Sequence, residues 1–346
     1  MANVLIIRLS AIGDVAMTLP VIYSAAKANP NDSFTFVTQT LLIPLFINPP
    51  DNLKILGIDT KGSEKKLGGF LRFAFGLTSR KYDMVLDLHS VIRSRILNLM
   101  FRLKGKRVYV LDKKRKERKR LTQKPPKMIF PLRTTADSYK EVFHNAGFRF
   151  EDTFTSLFAA RQEESLTALS IFGEKIGRWI GIAPFAKHLG KVYPIDAMEK
   201  VIKQLSEQPD TTLFFFGGGS CEEAVLSQWE LQYPNTHCVA GRYNLVQELE
   251  LLGRMDVLVS MDSANMHFAS LVGTKVVSIW GATHPYAGFY GYKQHTQYAV
   301  QVELPCRPCS IYGNKPCHRN DYACLKQITP KQIIDKITFV LAENNR

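Results

Sequence analysis

The chain has 346 residues, more than a single hydrophobic core usually organises, so two domains of ordinary size are expected. Hydrophobic residues make up 45% of it, no apolar run approaches the ~20 residues that span a bilayer, and the first residues lack the features of a signal peptide, so we expect a cytoplasmic globular protein. The formal net charge is +14, and it is concentrated in residues 91–133, which contain sixteen Lys and Arg but only two acids.

Strand-like and helix-like stretches alternate along the first half of the chain and again along the second. Near-continuous apolar strands that alternate with helices indicate parallel sheets covered on both faces. We therefore predict an α/β protein with two Rossmann-like, doubly wound domains, 1–160 and 175–346, that face a cleft. Apolar runs with the composition of strands lie at residues 3–9, 33–38, 82–88, 106–111, 179–184, 211–218, 256–261 and 275–281.

The turn after the first strand carries Gly13 and Asp14, in the sequence "VLIIRLSAIGDVAMTLP". A dinucleotide-binding fold would show G-x-G-x-x-G here and a P-loop would show G-x-x-x-x-G-K-[ST], and neither pattern is present. Asp14 has two open interpretations: a helix cap, or a general base at the floor of the cleft.

A run of cations, "KKRKERKR", extends from Lys113 to Arg120. Three interpretations are open: a solvated loop, a docking surface for an anionic membrane, and a nucleic-acid site. The run lacks interleaved aromatic residues and a legible recognition module, which disfavours nucleic acid.

Two strand–helix turns in the second half carry groups suited to a diphosphate. One strand precedes a loop with Lys187 and Lys191, and another precedes a polar turn that begins at Asp262 and leads into a helix with His267. Backbone amides at such a turn, together with the helix dipole, favour an anion. Helix capping for the turn and solvent exposure for the lysines are the alternatives.

Taken together, four segments resemble the ADP-heptose:lipopolysaccharide heptosyltransferase family over nearly the whole chain. They are "IIRLSAIGDVAMTLP" at the start, "KVYP" at 191–194, "GGGSCEE" at 217–223 and "MDSANMHFASLVGTKVVSIWGATHP" at 261–285. The resemblance implies a glycosyltransferase B-type fold. It also implies inverting, metal-independent transfer of heptose from ADP-heptose to the Kdo-containing inner core of lipopolysaccharide, at the cytoplasmic face of the inner membrane.

The resemblance also implies roles for individual residues. Asp14 matches the base, Lys191 the diphosphate ligand, and Glu222 or Glu223 the ribose ligand. The donor-site motif D-[ST]-G-x-x-H is matched by Asp262, Ser263, Ala264 and His267, where Ala264 replaces the family glycine and would be strained if that position needed a positive φ. On the acceptor side, "DLHSVIRSRI" and the basic run place Arg93, Lys113, Lys114 and Arg115 near phosphates and carboxylates.

Four of the six cysteines form a cluster in sequence, C-x2-C-x7-C-x6-C, comprising Cys306, Cys309, Cys317 and Cys324. In a cytoplasmic chain this spacing leaves open a structural zinc site or reduced thiols, with an occasional disulfide.

Two other functions stay open beside heptosyl transfer. One is transfer of a related sugar from another nucleotide sugar. The other is a non-catalytic protein that binds a nucleotide sugar or a polyanion, and the joint presence of Asp14, Lys191 and His267 favours an enzyme over it.

Overall fold

The computed structural model describes residues 1–159 and 173–344, and these residues form two compact units. Residues 1–114 and 135–159 make up the first unit, and residues 115–134 and 173–344 make up the second. The boundary predicted at 159–175 lies mostly outside the described residues. The units differ from the predicted contiguous domains in one part, residues 115–134, which we call the inserted segment.

The first unit is built on a five-stranded parallel sheet with the order β3-β2-β1-β4-β5. Its central strand is apolar and fully buried from Val4 to Ile7, because helices cover both faces of the sheet. The strands are β1 (Asn3–Ile7), β2 (Ser33–Gln39), β3 (Leu53–Ile58), β4 (Met84–Asp87) and β5 (Arg107–Val110). The helices of this unit are α1 (Ile12–Ala16), α2 (Leu19–Ala28), α3 (Leu67–Thr78), α4 (Ile92–Leu103) and α6 (Thr135–Asn145), while α5 (Arg115–Leu121) lies in the inserted segment.

Helices α3 and α4 pack side by side against this sheet. Their inward side chains, which include Phe70 and Leu77 from α3 and Leu97 and Phe101 from α4, belong to one core cluster with β1 and β4. The helical spacing of these residues leaves the opposite face of each helix outside the core.

The second unit is built on a six-stranded parallel sheet with the order β11-β10-β9-β6-β7-β8. Its strands are β6 (Arg178–Ala183), β7 (Thr211–Phe215), β8 (Thr236–Cys238), β9 (Val257–Met261), β10 (Val276–Ile279) and β11 (Ala299–Val300). Its remaining helices are α7 (Ile195–Ser206), α8 (Ser220–Gln232), α9 (Leu245–Leu252), α10 (Ala264–Leu271), α11 (Ala323–Lys326) and α12 (Pro330–Asn344).

The inserted segment packs on the second unit through apolar and cation–π contacts. Leu121 and Leu132 form a buried cluster with Ala287, and the guanidinium of Arg118 lies 4.9 Å from the centre of the Phe289 ring. Part of the basic run is therefore a packed helix, so a solvated loop, one of the three interpretations, does not describe all of its residues.

The predicted architecture is confirmed, since all eight predicted strands are present. The helix expected after β1, at residues 18–29, is also present as α2. The sequence analysis missed β3, β8 and β11. None of the helices in the described part of the chain combines the length and apolar character that crossing a bilayer requires.

Candidate active site

Each sheet changes its winding direction at one point, and candidate residues follow the strands there. The change falls between β1 and β4 in the first sheet and between β6 and β9 in the second. Asp14 follows β1, while Lys191 and Asp262 follow β6 and β9. Because ligands of doubly wound sheets bind beyond the carboxyl ends of the strands at such points, the topology puts these residues where a ligand is expected.

Asp14 is held in place by a buried arginine. One of its carboxylate oxygens lies 2.7 Å from the Arg8 guanidinium and accepts a hydrogen bond from the Ala11 amide at 3.3 Å. Arg8 is buried and also donates to the Leu88 carbonyl at 2.6 Å. Asp14 therefore does cap α1, from the third helical position, while 27% of its side chain stays exposed.

His89 follows β4 and was missed by the sequence analysis. Burial, together with the positive charges of Arg8 and Lys113, lowers the pKa of His89 to about 3, so its ring is neutral at physiological pH. Its Nδ1 accepts a hydrogen bond from the Leu9 amide at 3.3 Å, which assigns the proton to Nε2. His89 thus offers a neutral hydrogen-bond donor beside the Asp14–Arg8 pair.

The turn that carries His89 is fixed by the buried Asp87 at the end of β4. The Asp87 carboxylate accepts hydrogen bonds from the His89 and Ser90 amides, both at 2.8 Å, and from the Asn98 side chain at 2.6 Å. In the sequence, this arrangement is indicated only by the residues "DLH", which begin the acceptor-like segment.

The four predicted acceptor-side cations are not brought together. Lys113 is close enough to His89 to influence its pKa, whereas Lys114 pairs with Asp112 at 3.0 Å. Arg93 donates to the Lys65 carbonyl at 3.0 Å. Arg115, the fourth, is the first residue of α5 and belongs to the second unit.

On the second unit, Lys191 and Asp262 form a partly buried ion pair. The Lys191 Nζ lies 2.9 Å from a carboxylate oxygen of Asp262, and the side chains are 16% and 5% exposed. An ammonium has three donors, so Lys191 can bind this carboxylate and an anionic oxygen of a ligand at the same time. Gly313 makes this placement possible, since a Cβ there would lie 2.6 Å from the stem of Lys191.

The polar turn after β9 leads into α10. Ser263 is the N-cap residue in an extended conformation, and its side chain makes no capping hydrogen bond to the helix. Its hydroxyl lies 3.2 Å from that of Ser260 instead. Ala264 is the first residue of α10, where a helical backbone suits alanine, so the strain considered for this position does not arise. His267 is buried one turn into the same helix.

Glu222 and Glu223 lie at the glycine-rich loop after β7. Their carboxylates accept hydrogen bonds from the amides of Gly218 and Gly219, at 2.9 and 3.0 Å respectively. Gly219 has a φ of +93°, which explains the glycine at that position. Both carboxylates thus stabilise the start of α8, and the structure brings both to the same loop.

The cysteine-rich stretch supports the strand ends of the second sheet. Arg307 within it is 1% exposed and donates to the carbonyls of Gly281, Trp280 and Thr283 at 2.6, 3.1 and 3.0 Å. Lys127 of the inserted segment donates to the Cys306 carbonyl at 2.9 Å. The spacing of the cysteines does not predict these hydrogen bonds to backbone carbonyls.

The structural zinc considered for the cysteine cluster is not supported. Cys306, Cys309, Cys317 and Cys324 line one small cavity. Even so, no group of three or more His, Cys, Asp or Glu in residues 1–159 and 173–344 is arranged to hold a metal ion. Burial raises the pKa of the Cys324 thiol to about 11, so in the absence of a metal this cysteine is a thiol at physiological pH.

Two doubly wound parallel sheets, each with polar residues beyond its switch point, define a glycosyltransferase B-type fold. The chain belongs to glycosyltransferase family 9 (heptosyltransferase), whose family model matches residues 70–318. It is also similar to the lipooligosaccharide heptosyltransferase 2 of Campylobacter jejuni, with 23% identity over 335 residues that cover 94% of this chain and 95% of that protein.

Solved structures share the fold over the full length of the chain. A glycosyltransferase of family 9 from Veillonella parvula has a TM-score of 0.76 at 19% identity, covering 99% of this chain and 98% of that one. The Escherichia coli heptosyltransferase WaaC, solved with ADP-2-deoxy-2-fluoro heptose, has a TM-score of 0.68 at 16% identity, covering 97% of this chain and 99% of that one.

Proposed function

We propose that this protein transfers heptose from ADP-heptose to the Kdo and lipid A inner core of a lipopolysaccharide precursor, with inversion. The observation that carries the proposal is the placement of Asp14 in one unit and the Lys191–Asp262 pair in the other, each beyond the switch point of its sheet. Family membership and the heptosyltransferase relatives support the same reaction.

In the proposed reaction, an acceptor hydroxyl oxygen attacks the anomeric carbon of the heptose, and the bond from that carbon to the diphosphate breaks. Asp14 takes the hydroxyl proton, with Arg8 fixing the position of its carboxylate. His89 donates a hydrogen bond from its Nε2–H to an oxygen of the acceptor and keeps its proton. Lys113 and Arg93 contribute positive charge on the acceptor side.

The departing ADP carries the developing negative charge. Lys191 binds the diphosphate, and the amides and dipole of the α10 N-terminus, at Ser263 and Ala264, add to it. His267 completes the donor motif, and Glu222 or Glu223 accepts from the ribose hydroxyls. The ammonium of Lys191 and the N-terminus of α10 would stabilise the negative charge on the diphosphate. We therefore propose that transfer needs no metal ion.

We also propose that the enzyme works at the cytoplasmic face of the inner membrane, as a peripheral protein. The exposed cations of the basic run and the inserted segment, among them Arg115, Lys116 and Lys119, support attraction to anionic headgroups. Nucleic acid is not among the proposed partners.

The test is to incubate the purified protein with ADP-heptose, UDP-sugars and GDP-sugars, each with and without a Kdo-bearing acceptor, and to measure nucleotide release. We expect acceptor-dependent release of ADP alone. Release of UDP or GDP would indicate a related sugar transferase. Binding of ADP-heptose without acceptor-dependent release would indicate the non-catalytic alternative, and either result would contradict the proposal.

A further inference from the structure

The outer faces of α3 and α4 expose large apolar side chains side by side. Leu67 and Phe75 on α3 are both 64% exposed, and Ile92, Leu99 and Leu103 on α4 are 78, 58 and 79% exposed. The inward faces of both helices are occupied by the core of the first unit. None of these five side chains belongs to the core cluster of the first unit, and we call the exposed surface that they occupy on the two helices the α3–α4 face.

The charges on this face have one sign. Arg72 on α3 and Arg95 and Arg102 on α4 are exposed among the apolar residues, and neither helix contains an Asp or Glu. Lys65 and Lys66, just before α3, are exposed as well. Along α4 the apolar and basic residues share one stripe, because Ile92, Arg95, Leu99 and Arg102 recur at spacings of three and four.

The combination of apolar and basic side chains indicates which kind of partner could bind to this face. A second copy of the chain, related by twofold symmetry, would bring arginines against arginines with no acid between them. A nucleic acid would meet mainly aliphatic side chains, which do not stack on bases. An anionic bilayer matches both features, since apolar side chains enter the interface while arginines reach the headgroups.

We propose that the α3–α4 face is a membrane-docking surface that inserts its apolar side chains into the headgroup region of an anionic leaflet. This inference rests on the proposed function, which places the acceptor in a membrane, and it assigns the contact to a surface other than the basic run. The contact is made by burial of the apolar side chains of the α3–α4 face, while its arginines reach the headgroups.

The test compares the parent protein with a triple variant, Phe75→Ser, Leu99→Ser and Leu103→Ser. Its matched control carries Ile176→Ser and Leu231→Ser, which replace side chains of the second unit that are 77 and 89% exposed. Each protein is sedimented with vesicles of phosphatidylcholine mixed with phosphatidylglycerol, and with vesicles of phosphatidylcholine alone. We expect the triple variant to bind the anionic vesicles at least about tenfold more weakly than the parent, and the control to bind like the parent.

Activity on a short acceptor without lipid separates this inference from the proposed function. The triple variant should retain that activity, because none of its substitutions touches the candidate active site. If the parent lacks it, the proposed function fails, while vesicle binding still tests the α3–α4 face.

A second variant reports contact directly. Phe75→Trp places an indole on the α3–α4 face, whereas the native Trp179, Trp229 and Trp280 are buried. Its fluorescence should be quenched by vesicles with brominated acyl chains more than that of the parent.

Three results would overturn the inference. The first is equal vesicle binding by the parent and the triple variant, and the second is equal quenching by brominated and ordinary lipids. The third is a parent protein that is a dimer without lipid while the triple variant is a monomer. The last would assign the face to a second copy of the chain.

Discussion

At the scale of single residues, the ion pair between Asp14 and Arg8 links the stability of the first unit to its proposed chemistry. Arg8 is buried and its guanidinium lies 2.7 Å from the Asp14 carboxylate, so this ion pair stabilises a buried positive charge. A base that is also a counterion cannot be replaced without a structural cost, which the sequence alone did not indicate.

Asp14→Asn should therefore have two effects. Turnover should fall by about 10²-fold or more because the proton acceptor is lost, and the free energy of unfolding should fall by roughly 1–3 kcal/mol because the ion pair with Arg8 loses its negative charge. Steady-state kinetics well below the melting transition and chemical denaturation measure the two effects. Asp51→Asn, at an exposed turn, is the control. Near-normal turnover would mean that Asp14 only caps α1 and is not the general base.

Lys191 allows a separate test of the donor side. Lys191→Ala should weaken ADP binding by about 1.5–3 kcal/mol, the range of a charge-assisted hydrogen bond, and it also leaves the buried Asp262 without its cation. Titration calorimetry measures the affinity, and Lys187→Ala, in the same loop but exposed, should bind ADP like the parent. Equal ADP affinities for the Lys191 variant and the parent would mean that Lys191 does not bind the diphosphate.

His89 should remain neutral well below the usual pKa of histidine. Since its pKa is about 3 in the folded protein and 6.5 is its ordinary value, the unfolded chain binds the proton more readily between these values. The free energy of unfolding should therefore be highest above about pH 6.5 and should fall as the pH drops toward 3. His89→Gln should reduce that slope in denaturation curves. An imidazole NMR signal that the substitution removes and that titrates near 6.5 would contradict the assignment.

At the scale of elements, α3 has an unusual composition for a helix. It contains Gly68, Gly69 and Gly76, although glycine is among the least favourable residues in a helix interior. A Cβ at Gly76 would meet nothing within 4 Å, so no packing requires the glycine there. Packing on the sheet, not intrinsic propensity, holds this helix.

Gly76→Ala should consequently raise the free energy of unfolding by about 0.5–1 kcal/mol. The matched contrast is Gly177→Ala, which should lower it, because Gly177 has a φ of +66° and a Cβ there would lie 2.2 Å from the Asp210 carbonyl oxygen. Urea denaturation measures both variants. A destabilised Gly76 variant would mean that the surface of α3 makes a contact that alanine obstructs.

The strands that the sequence predicted stand out as runs rich in apolar and β-branched residues. β1 and β9 are buried on both faces, so their composition alone identified them. β3 is half exposed, and β8 and β11 have only three and two residues, which is too short for a periodic pattern. Likewise, motif residues such as Asp14 were found, but Arg8 and His89 acquire their roles only through contacts between distant strands.

At the scale of the whole molecule, positive charge is distributed over two kinds of surface. The inserted segment uses Arg118 and Lys127 for packing on the second unit, whereas Lys116, Lys119 and Lys124 remain exposed. A charge run read from the sequence cannot separate these groups, because long-range contacts decide which cations face solvent.

Replacing Lys116, Lys119 and Lys124 by Ser should weaken binding to anionic vesicles by about 1 kcal/mol for each cation that lies near the surface. The loss should be largest at low salt and should vanish at high salt, since screening removes the same attraction. Sedimentation across a salt series measures it. Lys200→Ser with Lys203→Ser and Lys326→Ser, which removes three exposed cations elsewhere on the second unit, is the control for net charge. Salt-independent binding by the parent would contradict an electrostatic role.

The inserted segment also bears on how members of this family can be recombined. Its residues lie between parts of the first unit in sequence, yet Leu121 and Leu132 complete an apolar cluster of the second unit. In a chimera of two relatives joined near residue 160, the inserted segment would come from one parent. The residues on which it packs, at Ala287 and Phe289, would come from the other. Exchange of the two units between relatives therefore keeps this cluster intact only if the inserted segment comes from the same parent as residues 173–344, although it precedes residue 135 in the chain.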